Sequence, residues 1–487
     1  MLCIYGIHRY FLVLTYYRVR GKVAKPVSHF DQLPSVTIQL PMFNERFVAQ
    51  RVIENACRID YPRDRLEIQV LDDSIDETVE IARQTVERLR SEGHDVVYIH
   101  RTQRTGYKAG ALAEALPSAR GEFIAIFDAD FIPPPNILRE TVDYFTDPGV
   151  GMVQARWDHL NREASLLTQA QAILLDGHFV IEHTARNRSG RYMSFNGTAG
   201  VWRKSAILDS GGWQHDTLTE DLDLSYRAQL RGWRFVFRPE ITSPAELPPE
   251  MNAFKAQQHR WTKGGAQTCA KLLPEVLRSR GGWRVKLEAF FHLTSGLVYV
   301  LMVLMSILIG PALYAKLALP PNQSLWGVAL DFVLFFVGTG SALSFYIVSQ
   351  RQLARSWSEC LRFIPALMAI GIGIAFNNAV AAIEGFLGRA GEFVRTPKFG
   401  DSGPQRDQWR TRLRGFQFRG AWKAWAELAI GLYLTGVLCS FFFFDNWLTR
   451  VSAALPFMGV FIFGYLYVAI QTFHGQWLAR QPRTATA

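Results

Sequence analysis

The sequence predicts an α/β chain in which a doubly wound, mostly parallel sheet is followed by a bundle of transmembrane helices. Between residues 34 and 240, short β-branched runs alternate with polar helical stretches, the pattern of strands joined by crossover helices. From residue 289 onward, apolar stretches long enough to cross a bilayer dominate. The composition over 487 residues, 49% hydrophobic and 20% charged, is unusual for one soluble domain and ordinary for such a domain fused to membrane helices.

The opening stretch, residues 2–17, is apolar and aromatic, and Arg18, Arg20, Lys22 and Lys25 follow it at once. It is shorter than the roughly 20 residues a helical span needs, so it spans thinly or continues upstream. No small-residue cleavage site follows, so residues 1–20 read as an anchor rather than a removed signal peptide. The flanking positive charges place the next domain, residues 34–280, in the cytoplasm. Within it, strands are expected at Val36–Leu40, Glu67–Leu71, Val96–His100 and Phe123–Phe127. Helices are expected near 47–58, 76–92 and 107–117. Sheets of this kind bind ligands beyond the carboxyl ends of their strands.

Four later segments are long enough to span: Phe290–Ala315, Leu325–Ser349, Trp422–Phe444 and Val451–Phe473. They are expected as helix pairs within 289–350 and 421–475. Residues 363–386 are equally apolar but carry Asn377, Asn378 and Glu384. Charge decides their placement. Segment 351–362 holds Arg351, Arg355 and Arg362, and segment 387–420 holds Arg389, Arg395, Lys398, Arg406, Arg410, Arg412, Arg414 and Arg419. Both belong on the cytoplasmic side, so 363–386 is expected to lie at the interface or to re-enter without crossing. Residues 361–420 then form an interfacial helix and a cytoplasmic loop, and the tail with Arg480 and Arg483 also ends inside.

The formal net charge of +10 fits the cytoplasmic edges of a membrane protein. No basic run is interleaved with stacking aromatics, which argues against a nucleic-acid partner. The five cysteines are irregularly spaced and form no CxxC pair, so neither a disulfide framework nor a zinc site is indicated.

Four motifs carry chemistry. Asp72-Asp73-Ser74 ends a strand, where carboxylates can accept hydrogen bonds from a nucleotide base or ribose; Asp73 or Ser74 could equally cap the helix that follows. Asp128-Ala129-Asp130 follows an apolar strand, and alternate carboxylates there can hold Mg²⁺ or Mn²⁺ against a diphosphate. Thr219-Glu220-Asp221 offers a general base for an acceptor hydroxyl, with Asp223 a second candidate and helix capping the plain alternative. One base opposite a nucleotide leaving group gives a single displacement with inversion. In Gln257-Gln258-His259-Arg260-Trp261, Arg260 can grip a diphosphate and Trp261 can support a pyranose ring, or the pair can anchor at an interface.

In that order, the four motifs resemble the D, DxD, TED, QxxRW pattern of processive family 2 glycosyltransferases, the cellulose synthase and cellulose synthase-like proteins. The resemblance covers roughly residues 34 to 475. It implies a nucleotide-diphospho-sugar transferase type of fold. Arg104-Thr105-Gly106-Tyr107-Lys108-Ala109-Gly110 is similar to the family's Lys-Ala-Gly stretch, which makes Lys108 a donor-binding residue. Phe195-Asn196-Gly197-Thr198-Ala199-Gly200 resembles an acceptor-side motif, which puts Asn196 and Gly197 at the acceptor entrance. Glu392-Phe393-Val394-Arg395-Thr396-Pro397-Lys398 resembles a gating loop that closes over bound nucleotide, with Phe393, Thr396 and Lys398 as its marked positions. The plain alternative is a basic loop at the membrane surface.

The resemblance further implies that Asp72 and Asp73 hold the base, and that Asp128 and Asp130 position metal and diphosphate. Gln257, Arg260 and Trp261 would bind diphosphate and acceptor sugar. Asp221 would be the base, with Glu220 beside it. The expected reaction is inverting transfer of a hexose from UDP-glucose or GDP-mannose to a growing β-glucan or β-mannan, with Mg²⁺ or Mn²⁺. The expected partners are a nucleotide-sugar donor, a polysaccharide acceptor and a lipid membrane; the compartment is a bacterial inner membrane first and a Golgi membrane second. The rival readings are glycosylation of a lipid carrier by single addition, and a non-catalytic transport or scaffold component. A topology reporter fused within residues 391–400 is expected to read cytoplasmic; an external reading overturns the placement of 363–386.

Overall fold

The computed structural model describes residues 1–318, 333, 336–389, 391, 396–400, 408–414, 420–444, 447, 451 and 454–481. The alternating runs form strands β1 (Val36–Met42), β2 (Leu66–Asp72), β3 (Val96–His100) and β4 (Phe123–Ile126). Three more follow: β5 (Val150–His159), β6 (Gly200–Arg203) and β7 (Arg234–Ala245). They build one seven-stranded sheet in the order β3-β2-β1-β4-β6-β5-β7. Strands β1 to β4 pair in parallel, as do β5 and β7, whereas β6 runs antiparallel to both its neighbours. Every residue of β1, β2 and β4 is buried, as expected for parallel strands covered on both faces.

Helices of nine residues or more are numbered in chain order. The catalytic half holds α1 (Leu2–Val19), α2 (Ala49–Cys57), α3 (Thr78–Ser91), α4 (Tyr107–Ala115), α5 (Leu166–Asp176), α6 (Glu220–Leu230) and α7 (Met251–Arg278). The remainder are α8 (Trp283–Leu293), α9 (Leu297–Ala318), α10 (Ser341–Gln352), α11 (Trp357–Gly373), α12 (Ala375–Phe386), α13 (Trp422–Ser440) and α14 (Leu455–Ala479). Helix α5 starts on a capping box, with Thr168 N donating to Ser165 Oγ and Ser165 N to Thr168 Oγ1. It runs on into a π-helical turn, Gly177–His183.

Among the described residues, three helices are long and apolar enough to cross a membrane: Leu297–Leu317, Trp422–Phe443 and Leu455–Ala479. The apolar stretch 363–386 is divided between α11 and α12, which bend by 45° at a short break. Helix α1 is not among the three; it carries His8 and Arg9 in its middle. The expected span Phe290–Ala315 is interrupted. A turn at 294–296 separates α8 from α9, and Thr294 Oγ1 bonds back to the carbonyl of Phe290 at 2.6 Å. Of the expected span Leu325–Ser349, most of 325–335 lies outside the described residues, and 341–349 is helical.

Helix α7 joins the two halves. Its N-cap, Glu250, accepts the amide of Ala253 at 2.9 Å. One turn on, Lys255 Nζ meets Glu427 of α13 at 2.5 Å, with side chains only 7% and 0% exposed. Asn377 of α12 donates to the carbonyl of Lys255 at 3.0 Å, and Lys263 pairs with Glu384 at 3.0 Å. The polar residues in 363–386 therefore face α7. Breaking a buried pair leaves one charge without its partner, at a cost of about 3–5 kcal/mol, whereas replacing both members can be neutral. Lys255→Met and Glu427→Leu are each expected to lower the thermal unfolding midpoint in detergent, and the double variant to recover most of that loss.

Candidate active site

Successive residues of a strand point to opposite faces, and this separates the first acidic pair. Asp72, the last residue of β2, turns inward, accepting Ser74 N at 2.9 Å and the Tyr98 hydroxyl at 2.7 Å. It does not line the cleft, contrary to the expectation that it shares base binding with Asp73. Asp73 does line it. Arg101 holds Asp73 in a fork, Nε to Oδ1 at 2.7 Å and Nη2 to Oδ2 at 2.6 Å. The same guanidinium donates to the carbonyls of Thr105 and Tyr107, which shapes the loop before α4. Arg104 from this loop stacks over the Phe43 ring, 3.5 Å from its centroid.

That loop presents Lys108. Its ammonium donates to Asp128 at 2.5 Å and to the carbonyl of Gly197 at 2.9 Å, and lies 4.0 Å from Glu220. Burial alone would lower the Lys108 pKa, but Asp128 and Glu220 outweigh it and raise it, so the lysine stays charged. Two of the four motifs and the Asn196-Gly197 segment thus meet around one cation.

Asp130 follows β4 and is buried. Its partner is Lys398 Nζ, at 2.5 Å. The segment bearing Lys398 is anchored by Glu246, which accepts the amides of Phe399 at 3.3 Å and Gly400 at 2.9 Å and pairs with Arg51 at 2.7 Å. Thr396 and Lys398 line the cleft. Phe393 lies outside the described residues.

Glu220 and Asp221 open α6, with Thr219 at the N-cap and no side-chain capping bond. Gly264 lets α7 approach this turn; a Cβ there would lie 2.5 Å from Thr219 Cγ2. Gly197, with φ near +80°, does the same on the opposite wall, where a Cβ would lie 2.9 Å from Asp221 Oδ2. Burial, and then the charge of Glu220, push the Asp221 carboxyl up to about 7. Burial also raises Glu220, partly offset by Lys108. Asp223, the second candidate base, is fully buried and committed to Arg227 and Lys271, and it does not line the cleft.

Gln257, Arg260 and Trp261 share one face of α7 by their i, i+3, i+4 spacing and all line the cleft. Burial lowers the Arg260 pKa, opposed by Glu220, Asp128, Asp221 and Asp130 around it. The Trp261 ring lies 6.4 Å from that of Trp157, tilted by 54°. The cleft is open to solvent, with a cavity volume of about 170 Å³. Arg101, Glu246 and Trp157 complete it without belonging to any motif.

The profile of the family described as Glycosyltransferase like family 2 matches residues 34–264. Glucomannan 4-beta-mannosyltransferase 1 of Oryza sativa subsp. japonica is 44% identical over 252 residues, 51% of this chain and 48% of that protein. The chain thus spans about half the length of this relative and of Glucomannan 4-beta-mannosyltransferase 2 of Arabidopsis thaliana, which is 43% identical over 255 residues. Glucomannan 4-beta-mannosyltransferase 9 of Arabidopsis thaliana is 34% identical over 428 residues, 85% of this chain and 76% of that protein. Among solved structures, a mannosyltransferase from Pyrobaculum calidifontis, PcManGT, in complex with GDP-Man and Mn²⁺, superposes with a TM-score of 0.54 at 21% identity, over 80% of this chain and all of that one. It shares the fold. With the motif set in place around a single cleft and relatives aligned across most of its length, the chain belongs to the family 2 glycosyltransferases, in their cellulose synthase-like group.

Proposed function

We propose that this cleft transfers mannose from GDP-mannose to the end of a β-mannan chain at the face of a membrane, with inversion. The observation that carries the reading is the Asp221 corner, a half-buried carboxyl poised near neutral pH in the same cleft as Asp128, Asp130, Lys108 and Arg260. The names of the relatives favour mannose over glucose, and the printed ligand of PcManGT favours a GDP donor.

In this mechanism Asp73, held by Arg101, takes the guanine end of the donor, next to the planar Arg104–Phe43 stack. Lys108 and Arg260 supply the chain's own positive charge to the diphosphate. The acceptor sugar rests against Trp261 beside Asn196 and Gly197. Its hydroxyl oxygen attacks the anomeric carbon as Asp221 takes the proton, and the bond to the diphosphate oxygen breaks on the opposite face.

The acids fit a divalent cation of the oxygen-loving kind. Asp128 and Asp130 already hold ammonium groups, and among the described residues no cluster of three His, Cys, Asp or Glu side chains forms a closed cage. Such a cation would take the remaining ligands from diphosphate and water, as Mg²⁺ and Mn²⁺ do. When bound it neutralises charge on the departing diphosphate. Lys398 would leave Asp130 as donor enters, so the Thr396–Lys398 segment serves as a gate. The break between α11 and α12 and the polar contacts of Asn377 and Glu384 with α7 support a re-entrant or interfacial 363–386 beside the cleft.

Membranes incubated with labelled GDP-mannose or UDP-glucose test the reading. Long product from GDP-mannose, degraded by a β-mannanase, is expected. A single sugar on lipid, or product from UDP-glucose alone, overturns it. The pH dependence follows from Asp221. Its folded pKa stands above the ordinary carboxylate range, so it is protonated and inactive as a base below about 7. The kcat/KM for acceptor should rise with pH through that value. Glu220→Gln removes a like charge and should move the acid limb to lower pH, whereas Asp221→Asn should cost on the order of 10²–10⁴ in kcat.

A further inference from the structure

Behind the acceptor side of the cleft, the π-helical turn Gly177–His183 places two imidazoles on one amide. Turns of this kind inside helices recur at functional sites. His183 Nε2 lies 2.6 Å from Asn196 Oδ1, and Asn196 Nδ2 lies 3.0 Å from His178 Nε2. His178 Nδ1 lies 2.9 Å from Glu182 Oε2. From these contacts, we infer that His178 and His183 are positioning residues that lock the Asn196 amide to receive a hydroxyl of the acceptor sugar. This rests on the acceptor reading of the Asn196–Asp221 corner.

The proton assignments are mutually consistent. Burial would raise the Glu182 carboxyl, but Arg186 and His178 outweigh it and hold it well below the usual carboxylate range. It therefore only accepts, and the His178 proton sits on Nδ1, which leaves Nε2 to accept from Asn196. Asn196 Oδ1 also only accepts, so the His183 proton sits on Nε2. That leaves His183 Nδ1 bare, and Nδ1 is indeed buried without a partner. Burial pushes His183 well below its ordinary value, so it stays neutral. The flipped amide would force the His183 proton onto Nδ1, creating a buried N–H with nothing to bond. The backbone is held too, with Asn196 N donating to Gln154 Oε1 at 3.1 Å.

One Nδ2 hydrogen and one Oδ1 lone pair of Asn196 remain, and the residue lines the cleft. Gly197 brings this segment against Asp221. A pyranose carries hydroxyls on adjacent carbons, so one can meet Asp221 while a neighbour meets the amide. A locked, neutral donor–acceptor group suits a hydroxyl, and a site built to bond one discriminates against a sugar lacking it.

The test is steady-state kinetics on the full chain in lipid, with GDP-mannose and manno-oligosaccharide acceptors. His178→Ala is expected to raise the acceptor KM about tenfold, the scale of one hydrogen bond. The donor KM and the GDP release without acceptor should stay unchanged. His178→Gln, which returns an acceptor atom near the Nε2 position, should restore most of the loss. In the wild type, one monodeoxy acceptor should lose a similar factor, and that penalty should shrink in His178→Ala. An unchanged acceptor KM, equal damage to donor and acceptor, or no monodeoxy acceptor that suffers overturns this inference alone. A wild type that releases no GDP from GDP-mannose overturns the transferase reading and this one with it.

Discussion

Helix α7 is the constraint on which both halves depend, and the buried Lys255–Glu427 pair is what fixes it. Along one face, Gln257, Arg260 and Trp261 look into the cleft. Along others, Lys255 and Lys263 hold α13 and α12. A rigid helix cannot shift one face without the other, so the membrane bundle sets the position of the Arg260–Trp261 wall. Gly264 tightens the coupling, because α7 touches Thr219 there with no room for a side chain. The Thr219–Asp221 turn is thereby held in register with the same helix.

Charge balance inside the cleft explains how so many acids can share it. Asp73 is neutralised by Arg101, Asp128 by Lys108 and Asp130 by Lys398. Glu220 and Asp221 have no close ion pair of this kind, with Lys108 4.0 Å from Glu220, and they are the cleft acids whose pKa values are raised. The cleft therefore separates acids each paired with a cation from one carboxyl raised to near neutrality. This is the division of labour that environment alone can impose on identical carboxyl groups. Two of the neutralising cations sit beside loops, Lys108 in the first turn of α4 and Lys398 in the segment after α12.

Much of this was legible in the sequence. Strand–helix alternation located β1 to β4 to within two residues at either end, because buried parallel strands leave strong β-branched runs. Asp73, Asp128 and Asp130 lie where such strands stop, so they could be assigned to one cleft, whereas Asp221 opens α6 and was placed there by its motif. Asp72 could not be separated from Asp73 by composition; only the pleat sends one inward. Strand β6 has four residues and reverses direction, too short for periodicity to show. The turn between α8 and α9 hides in an apolar run, since Thr294 breaks the helix by bonding its own backbone rather than by polarity. Arg101 and Glu246 act across 28 and 153 residues of chain, through contacts that no local pattern announces.

The π-helical turn shows why such distant contacts matter for function. It is the start of a buried polar chain that leaves the Asn196 corner of the cleft and reaches the N-terminal helix. Glu182 bonds His178 and also Arg186, which bonds Glu288 of α8 at 3.0 Å, which in turn meets His8 of α1 at 3.1 Å. Glu182, Arg186 and Glu288 are charges that would be costly to leave alone, so none of the three can be removed without disturbing the next. Helix α1 is too polar in its middle to count among the apolar spans, and His8 is one reason. Its stacking on Phe291 of α8 gives that polarity a structural use. The ring is half of a hydrophobic contact and half of an ion-pair terminus. Polarity that weakens α1 as a membrane segment thus strengthens it as a brace for the turn that carries His178 and His183.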